Sequence, residues 1–387
     1  MVTYHVVNFL MADEPSELPP NPFLFGRVAQ SGFYCPRPDL EKTILSRISS
    51  GQGICLQGAR RFGKTSLIVH LAAKHFRGRF FRADFMGVKT AAEAVEEILN
   101  SWVAFEKAHR KEKRALAFLT SLNLELSILG SRIKIQPSPH LESVSLDPFF
   151  AQVESFLPKG KHFLIFFDEF QSLQSLENDD RHSFLQRLRK SIQHLQGISF
   201  VYAGSVRSAM HEIFQHPESP FYYAAETFEV GPIEPPERFR KFLTAKFSQG
   251  NRSLMPDFWP AIEAIVAHNP SDTQRFCAAL WDTSPPGVEL NESAIEEALE
   301  RIFAHENETN LALLTHATAI QKKTLIGIAL HGGKSPTSQA FLQKINHRNG
   351  SSVLKALGHF VDRGVLAKGE KGYTFNNPFL REWLNRR

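Results

Sequence analysis

Two glycines, a lysine and a threonine in fixed register constrain this chain more than any other feature: Gly58-Ala59-Arg60-Arg61-Phe62-Gly63-Lys64-Thr65 satisfies G-x-x-x-x-G-K-[ST]. The pattern carries chemistry only between a strand and a helix. Both flanks are readable: Ile54-Cys55-Leu56 suits a short buried strand, and helical periodicity starts near Lys64. In that setting glycines let backbone N–H groups curl around phosphates, and the following helix adds its positive dipole end. Lys64 then reaches the β- and γ-phosphates, and the Thr65 hydroxyl ligates Mg2+. Arg60 and Arg61, inside the loop, suit stabilisation of the loop or of phosphate better than action across a subunit boundary.

Such a loop needs a carboxylate from the end of a nearby apolar strand to hold the water shell of the magnesium. His162 to Asp168 reads as a strand apolar on both faces, as a central parallel strand should be, and it ends in Asp168-Glu169. Asp168 is expected to hold Mg2+, and Glu169 to orient and polarise an attacking water. The next apolar strand, Ile198–Gly204, runs into Ser205 and Arg207. In a sheet with an inserted strand that point lies beside the γ-phosphate, so Ser205 or Arg207 fits a phosphate sensor. A helix cap and a surface charge fit them equally well.

Around these motifs, Asp39 opens an amphipathic helix (Leu40, Ile44, Ile48), Arg79–Asp84 reads as a strand, and Ala91 to about Leu126 as mostly helix. Residues 128–146 fit either a hairpin or a loop. Arg181–His194 is an amphipathic helix and Phe228–Val230 a last strand. Strands alternating with helices over Gly51–Gly231 indicate an α/β parallel sheet. From Pro235 to about Glu306 only helical periodicity is visible, broken at Pro256, Pro260, Pro270 and Pro285-Pro286. The tail has helices at Ala319–Leu330 and near Ser338–Ile345, a third capped by Ser351 or Ser352, and a hairpin around Gly369-Glu370-Lys371-Gly372. Three helices and a hairpin predict a winged helix-turn-helix. The expected partition is an extended, proline-rich arm over 1–40, a core over 41–233, a helical domain over 234–308 and the winged helix over 309–387.

At 387 residues and 42% apolar the chain can bury several cores, and its 33 phenylalanines are most simply core. Its apolar runs are far shorter than the roughly 20 residues of a membrane-spanning helix, so no membrane partner is expected. Val6 to Met11 meets Asp13 and Glu14 with no basic lead, which predicts no secretory signal and, by default, a cytoplasmic location. Cys35, Cys55 and Cys277 are widely spaced and odd in number, the pattern of small buried hydrophobes rather than of disulfides or a zinc site. No HExxH or paired-ligand spacing occurs among the sixteen histidines. From Leu311 onward twelve Lys and Arg face three acids (Asp362, Glu370, Glu382), so the excess positive charge lies in the tail. Such a block suits a polyanion, double-stranded DNA above all, or a solvated basic face.

Taken together, these residues resemble the archaeal-type P-loop ATPases, relatives of the AAA+ and STAND groups that are also widespread in bacteria. Gly58–Ser66 looks like that family's G.RR.GKTS loop, Asp168-Glu169-Phe170-Gln171 like its DEFQ strand end, and Ala203-Gly204-Ser205 like the end of its next strand. Asn21-Pro22-Phe23 with Phe33 and Arg37 is similar to its opening segment, and His268-Asn269-Pro270 with Gln274 and Trp281 to its lid motif. The resemblance places Phe33, Arg37 and Pro270 near the adenine and extends the phosphate loop to Ser66. His268 and Pro36 stand where a glycine is usual, and Tyr223-Ala224 where many relatives carry Gly-Arg, so no trans arginine is expected there. Ser351-Ser352-Val353 and Gly372–Phe375, running into Asn377-Pro378-Phe379, look like its C-terminal winged helix, a module that meets DNA in some members and protein in others.

The fold implied is α/β: an AAA+/ASCE-like P-loop NTPase parallel sheet flanked by helices, then a small helical lid and a C-terminal winged helix-turn-helix. The function implied is Mg-dependent ATP binding and hydrolysis that drives a switch coupled to the basic tail. A nucleotide-loaded DNA-binding regulator that hydrolyses slowly or not at all, and a STAND-like scaffold that assembles with ATP as a homo-oligomer, are the alternatives.

Overall fold

In the computed structural model, residues 20–109, 117, 119, 126–129, 132–135, 146–155, 157, 160–255, 258–369 and 371–387 are described. The expected arm before residue 20, most of the expected helix beyond residue 109, most of 128–146, Pro256 and Glu370 lie outside them.

The described chain divides into two compact units, one of Leu24–Phe239 with His268–Thr273, the other of the described residues up to Phe23 with Arg240–Ala267 and Gln274–Arg387. Seven strands belong to the first: Ile54–Gln57 (β1), Phe80–Asp84 (β2), Leu126–Leu129 (β3), Arg132–Ile135 (β4), Phe163–Asp168 (β5), Ile198–Gly204 (β6) and Glu226–Glu229 (β7). Five of them form one sheet in the order β2-β5-β6-β1-β7, every pairing parallel. β6 therefore sits between the strand that enters the glycine loop and the strand that ends in Asp168, the inserted-strand order.

Burial on both faces explains the apolar runs. β5 has no exposed residue, and its side chains alternate between two cores. Leu164 and Phe166 join Ile44 and Ile48 of helix Pro38–Ser49 (α1) and Leu67, Ile68 and Leu71 of helix Lys64–His75 (α2). Phe163, Ile165 and Phe167 face the other way, toward Ile98 and Trp102 of helix Ala91–Ala108 (α3) and Phe184 and Leu188 of helix Asn178–Ile192. Phe167, Phe170, Tyr202, Phe214 and Phe221 meet ring to ring in that second core.

Three readings of this unit change. α3 ends at Ala108, and Leu126 opens a strand instead of closing a helix. Across 126–135 the chain is a hairpin, β3 antiparallel to β4. The last strand starts at Glu226 and stops before Val230, whose N–H still reaches Gln57 O at 2.7 Å.

In the second unit Pro260 lies in the first turn of helix Phe258–Val266, where its missing N–H costs nothing, so it helps to start a helix and does not break one. Pro270 likewise opens helix Pro270–Thr283. A two-residue parallel pairing, Ser253–Leu254 (β8) with Glu289–Leu290 (β9), interrupts the helices and is too short to leave a period-2 signal. Helix Glu292–His316 leads to the tail, where Ala319–His331 starts on a Thr318/Gln321 capping box and Gln339–Lys344 on Ser338. Helix Gly350–Asp362 is capped by Asn349 in place of Ser351 or Ser352: its carboxamide oxygen takes the N–H of Ser351 at 2.9 Å and of Ser352 at 3.3 Å. Leu366–Gly369 (β10) and Gly372–Phe375 (β11) make the hairpin, and a further helix, Pro378–Asn385, follows an Asn377 cap. Arg381 Nη2 donates to the Ala264 and Ile265 carbonyls at 2.7 and 3.1 Å, and Asn377 Nδ2 donates to Glu306 at 3.0 Å, so tail and preceding helices share one unit.

No helix among the described residues is long and apolar enough to cross a membrane. The three cysteines are free and buried. Burial pushes the Cys35 thiol up to about 11 and the Cys55 thiol up to about 12, and it raises Cys277 as well. The native protein is therefore expected to give almost no reaction with an aromatic disulfide reagent at mildly alkaline pH, and all three thiols after denaturation; absorbance of the released thiolate measures both.

Candidate functional site

The glycine loop leaves β1 under two different constraints. At Gly58 (φ +148°) a Cβ would stand 2.3 Å from Val230 O, so the close approach of β1 and the end of β7 excludes any side chain there. Arg61 (φ +70°) and Gly63 (φ +89°) are left-handed, and such residues among right-handed ones turn successive N–H groups inward into an anion-binding concavity. Lys64 opens α2, is buried, and folds back so that Nζ donates to Gly58 O at 2.7 Å and Ala59 O at 3.0 Å. Burial lowers the affinity of its ammonium for a proton, and Glu169 and Asp168 oppose that shift.

Across β6 from this loop, Asp168 ends β5 at 2% exposure. Thr65 Oγ1 donates to Asp168 Oδ2 at 2.7 Å, so the hydroxyl of the loop and the carboxylate of the strand meet directly. Arg82 of β2 also donates to Oδ2, through Nε at 2.9 Å. Desolvation pushes the Asp168 carboxyl above the ordinary carboxylate range, while Arg82 and the Thr65 hydrogen bond pull it back.

Glu169 is left-handed (φ +50°, ψ +38°), a conformation uncommon outside glycine that marks a turn over-determined by its surroundings. Its Oε2 accepts from Gln171 Nε2 and from Ser205 Oγ, the latter at 3.3 Å. Gln171 Oε1 in turn takes the N–H of Ser205 at 3.2 Å. The helix Arg207–Phe214 is capped at Val206 without a side-chain bond, so Ser205 is no helix cap. Arg207 pairs with Glu229 at 2.9 Å, its side chain 62% exposed.

The flanking residues gather differently from one another. Arg37 is buried and donates to the carbonyls of Phe62, Gly231 and Pro232 at 2.8, 2.8 and 2.9 Å, tying the loop to the chain after β7. The Ser66 hydroxyl takes the N–H of Ala29 at 3.0 Å. Phe33 lies in a short 3-10 turn, 38% exposed. Asn269 Nδ2 donates to Arg60 O at 3.3 Å, and Arg61 pairs with the buried Asp272 at 2.9 Å, so the segment around Pro270 holds the outer side of the loop. Asn21 and Phe23 belong to the other unit, where Asn21 Nδ2 reaches Asp282 at 2.8 Å and Phe23 packs on Phe247 and Trp281.

The residues fit a magnesium–nucleotide complex. The donors that meet are a hydroxyl and a carboxylate, hard oxygens of the kind Mg2+ prefers. Among the described residues no cluster of three His, Cys, Asp or Glu could hold a metal alone, and Mg2+ characteristically takes one or two carboxylates together with substrate phosphates.

Residues 309–386 match a family described as "Probable winged helix domain". The tail is a winged helix domain. In overall structure the chain is similar to a Walker-type ATPase of Pyrococcus abyssi, with a TM-score of 0.62 at 15% identity, over 92% of this chain and 97% of that one. The fold is that of a P-loop ATPase. The Aeropyrum pernix ORC1 protein in complex with DNA matches with a TM-score of 0.47 at 14% identity over 91% and 93% of the two chains. The Thermotoga maritima RuvB Holliday junction branch migration motor matches at 0.45 and 11% over 92% and 97%. No curated protein matches the sequence.

Arg82, Asp84 and Asp272 surround these residues without a motif of their own: Arg82 meets Asp168, Asp84 meets Arg82, and Asp272 meets Arg61. Arg82 and Asp84 carried one readable signal: they alternate on β2 with the buried Phe81 and Ala83, so both share a face at the strand end. Replacing Arg37 with Met strands three carbonyls beside the loop and is expected to cost about 2–3 kcal/mol, read as a lower midpoint in denaturant unfolding followed by far-ultraviolet circular dichroism.

Proposed function

We propose that this protein binds and hydrolyses Mg-ATP at the Gly58–Thr65 loop and that the nucleotide state governs a basic winged helix that contacts double-stranded DNA. The observation that carries the reading is the 2.7 Å hydrogen bond from Thr65 to Asp168, which brings the loop hydroxyl and the strand carboxylate together. The left-handed loop residues and the buried Lys64 support the same reading.

In this reading Thr65 and Asp168 hold Mg2+, which when bound neutralises phosphate charge and orients the γ-phosphate. Loop N–H groups and Lys64 bind the β- and γ-phosphates. Glu169 takes the proton of the attacking water, and Ser205, already bonded to Glu169, senses the γ-phosphate. Phe33, on the segment that leads into the loop-bound Arg37, is assigned to the base by the resemblance of that segment.

Nucleotide state passes to the lid through residues 268–273: Asn269 and Asp272 hold Arg60 and Arg61 and lie at the start of helix Pro270–Thr283. The remaining lid helices and the winged helix share one compact unit, which suits a concerted response. Lys355 and His359 are exposed on helix Gly350–Asp362, opposite the buried Val353 and Leu357, with Lys368 and Lys371 exposed on the hairpin. Such a helix suits the major groove and such a wing the phosphates.

The Gln171–Glu169 and Ser205–Glu169 bonds favour one alternative, a slowly hydrolysing regulator, because they occupy one oxygen of the base with protein donors. Phosphate release from Mg-ATP decides between the two. Hydrolysis is expected in the wild type, Glu169→Gln is expected to lower kcat about a hundredfold or more, and Lys64→Ala to abolish nucleotide binding. A wild-type rate equal to that of Lys64→Ala removes the enzyme reading. Three phosphate contacts, from Lys355, Lys368 and Lys371, predict that a roughly fourfold rise in salt weakens DNA binding about fortyfold; absence of an electrophoretic shift at low salt removes DNA.

A further inference from the structure

Among the described residues Arg82 forms an ion pair with Asp168, and it reaches a second carboxylate as well. β2 and β5 pair in register with Asp84 opposite Asp168. Arg82 sits two residues earlier on the same face of β2 as Asp84. Its guanidinium donates from Nε to Asp168 Oδ2 at 2.9 Å, and its Nη2 lies 2.9 Å from that same oxygen and 2.5 Å from Asp84 Oδ2. The other Asp168 oxygen takes the Glu169 N–H at 3.1 Å. Both oxygens of the carboxylate are thus engaged, and Oδ2, the oxygen that accepts from Thr65, is the one the arginine covers. The two acids differ in surroundings: the Asp168 side chain is 3% exposed, that of Asp84 35%. Asp84 is held in place from the backbone, its Oδ1 accepting from Met86 N at 3.1 Å.

A divalent cation on Thr65 and Asp168 needs the lone pairs that Arg82 occupies, and two cations on one carboxylate oxygen repel. The planar fork of arginine can give up one acceptor and keep the other, which the point charge of lysine cannot do as well.

We propose that Arg82 is an internal counter-ion for Asp168 that competes with the divalent cation and withdraws onto Asp84 when the cation–nucleotide complex binds, so that Arg82 sets the magnesium concentration the site requires. The proposal rests on the nucleotide reading of the loop. Arg82 is a positioning residue here: it meets neither substrate nor reacting atoms and acts through Asp168.

The test is equilibrium binding of a fluorescent ADP analogue to the full chain across a magnesium titration, with folding of each variant checked by thermal unfolding. Arg82→Gln is expected to lower the magnesium concentration at half-saturation about tenfold or more, since one removed neighbouring charge is worth close to that factor even when fully screened by water, with magnesium-free nucleotide affinity unchanged. Asp84→Asn removes the second acceptor, keeps Arg82 on Asp168 and is expected to raise the magnesium requirement. Arg82→Lys, which keeps the charge and loses the fork that lets it withdraw, is expected to need at least as much magnesium as wild type. If Arg82→Gln does not fold, the opposite shift in Asp84→Asn carries the test alone. A magnesium requirement equal to or above wild type in Arg82→Gln, or one equal to or below wild type in Asp84→Asn, overturns the proposal while leaving the nucleotide site standing. No nucleotide binding by the wild type at any magnesium concentration removes the site reading and this proposal with it.

Discussion

A carboxylate closed off from water needs donors and a cation to converge on it, and at Asp168 several do. Three separate pieces of chain supply the convergence. Thr65 comes from the loop after β1, Arg82 from β2, and the Glu169 N–H from the turn after β5. None can be in position unless β1, β6, β5 and β2 lie side by side in parallel, so the geometry of one side chain depends on the whole strand order. The sheet in turn depends on apolar residues facing both ways, which is why β5 and β6 contain no exposed position.

The same dependence sets what could be read in advance. Continuous burial writes a central parallel strand into the sequence as an apolar run, and β5 and β6 were legible for that reason; the glycine loop was legible because its φ angles and close approaches demand particular residues. Other features were opaque for equally physical reasons. The pairing of Asp84 with Asp168 is a matter of register between strands about 80 residues apart, and nothing local encodes it. The side chain of Asn349 outcompetes two following serines as a cap, a contest decided by where the helix begins and not by composition. β8 and β9 have two residues each, too few for any period. Charge, by contrast, was plain from the count alone, since twelve basic residues in the last 77 cannot be averaged away.

The loop is held from outside as well as from the sheet. Arg37 grips Phe62 O, and Asn269 and Asp272 grip Arg60 and Arg61, so the loop is fixed by side chains from before β1 and from residues 268–273. Asp272 is nearly fully buried while its partner Arg61 is half exposed, so the ion pair can open toward water on the arginine side only. In the other unit the winged helix is joined to the preceding helices through Arg381, which donates to the Ala264 and Ile265 carbonyls, and through Asn377, which donates to Glu306.

The proposed function requires a triphosphate in the curve of residues 58–65 with a divalent cation between Thr65 and Asp168. Pulsed electron paramagnetic resonance with Mn2+ in place of Mg2+ and a non-hydrolysable ATP analogue tests it directly. Hyperfine coupling from nucleotide phosphorus to the protein-bound manganese, lost in both Thr65→Val and Asp168→Ala, is the predicted result. Bound manganese without phosphorus coupling, or coupling that persists in both variants, would contradict it.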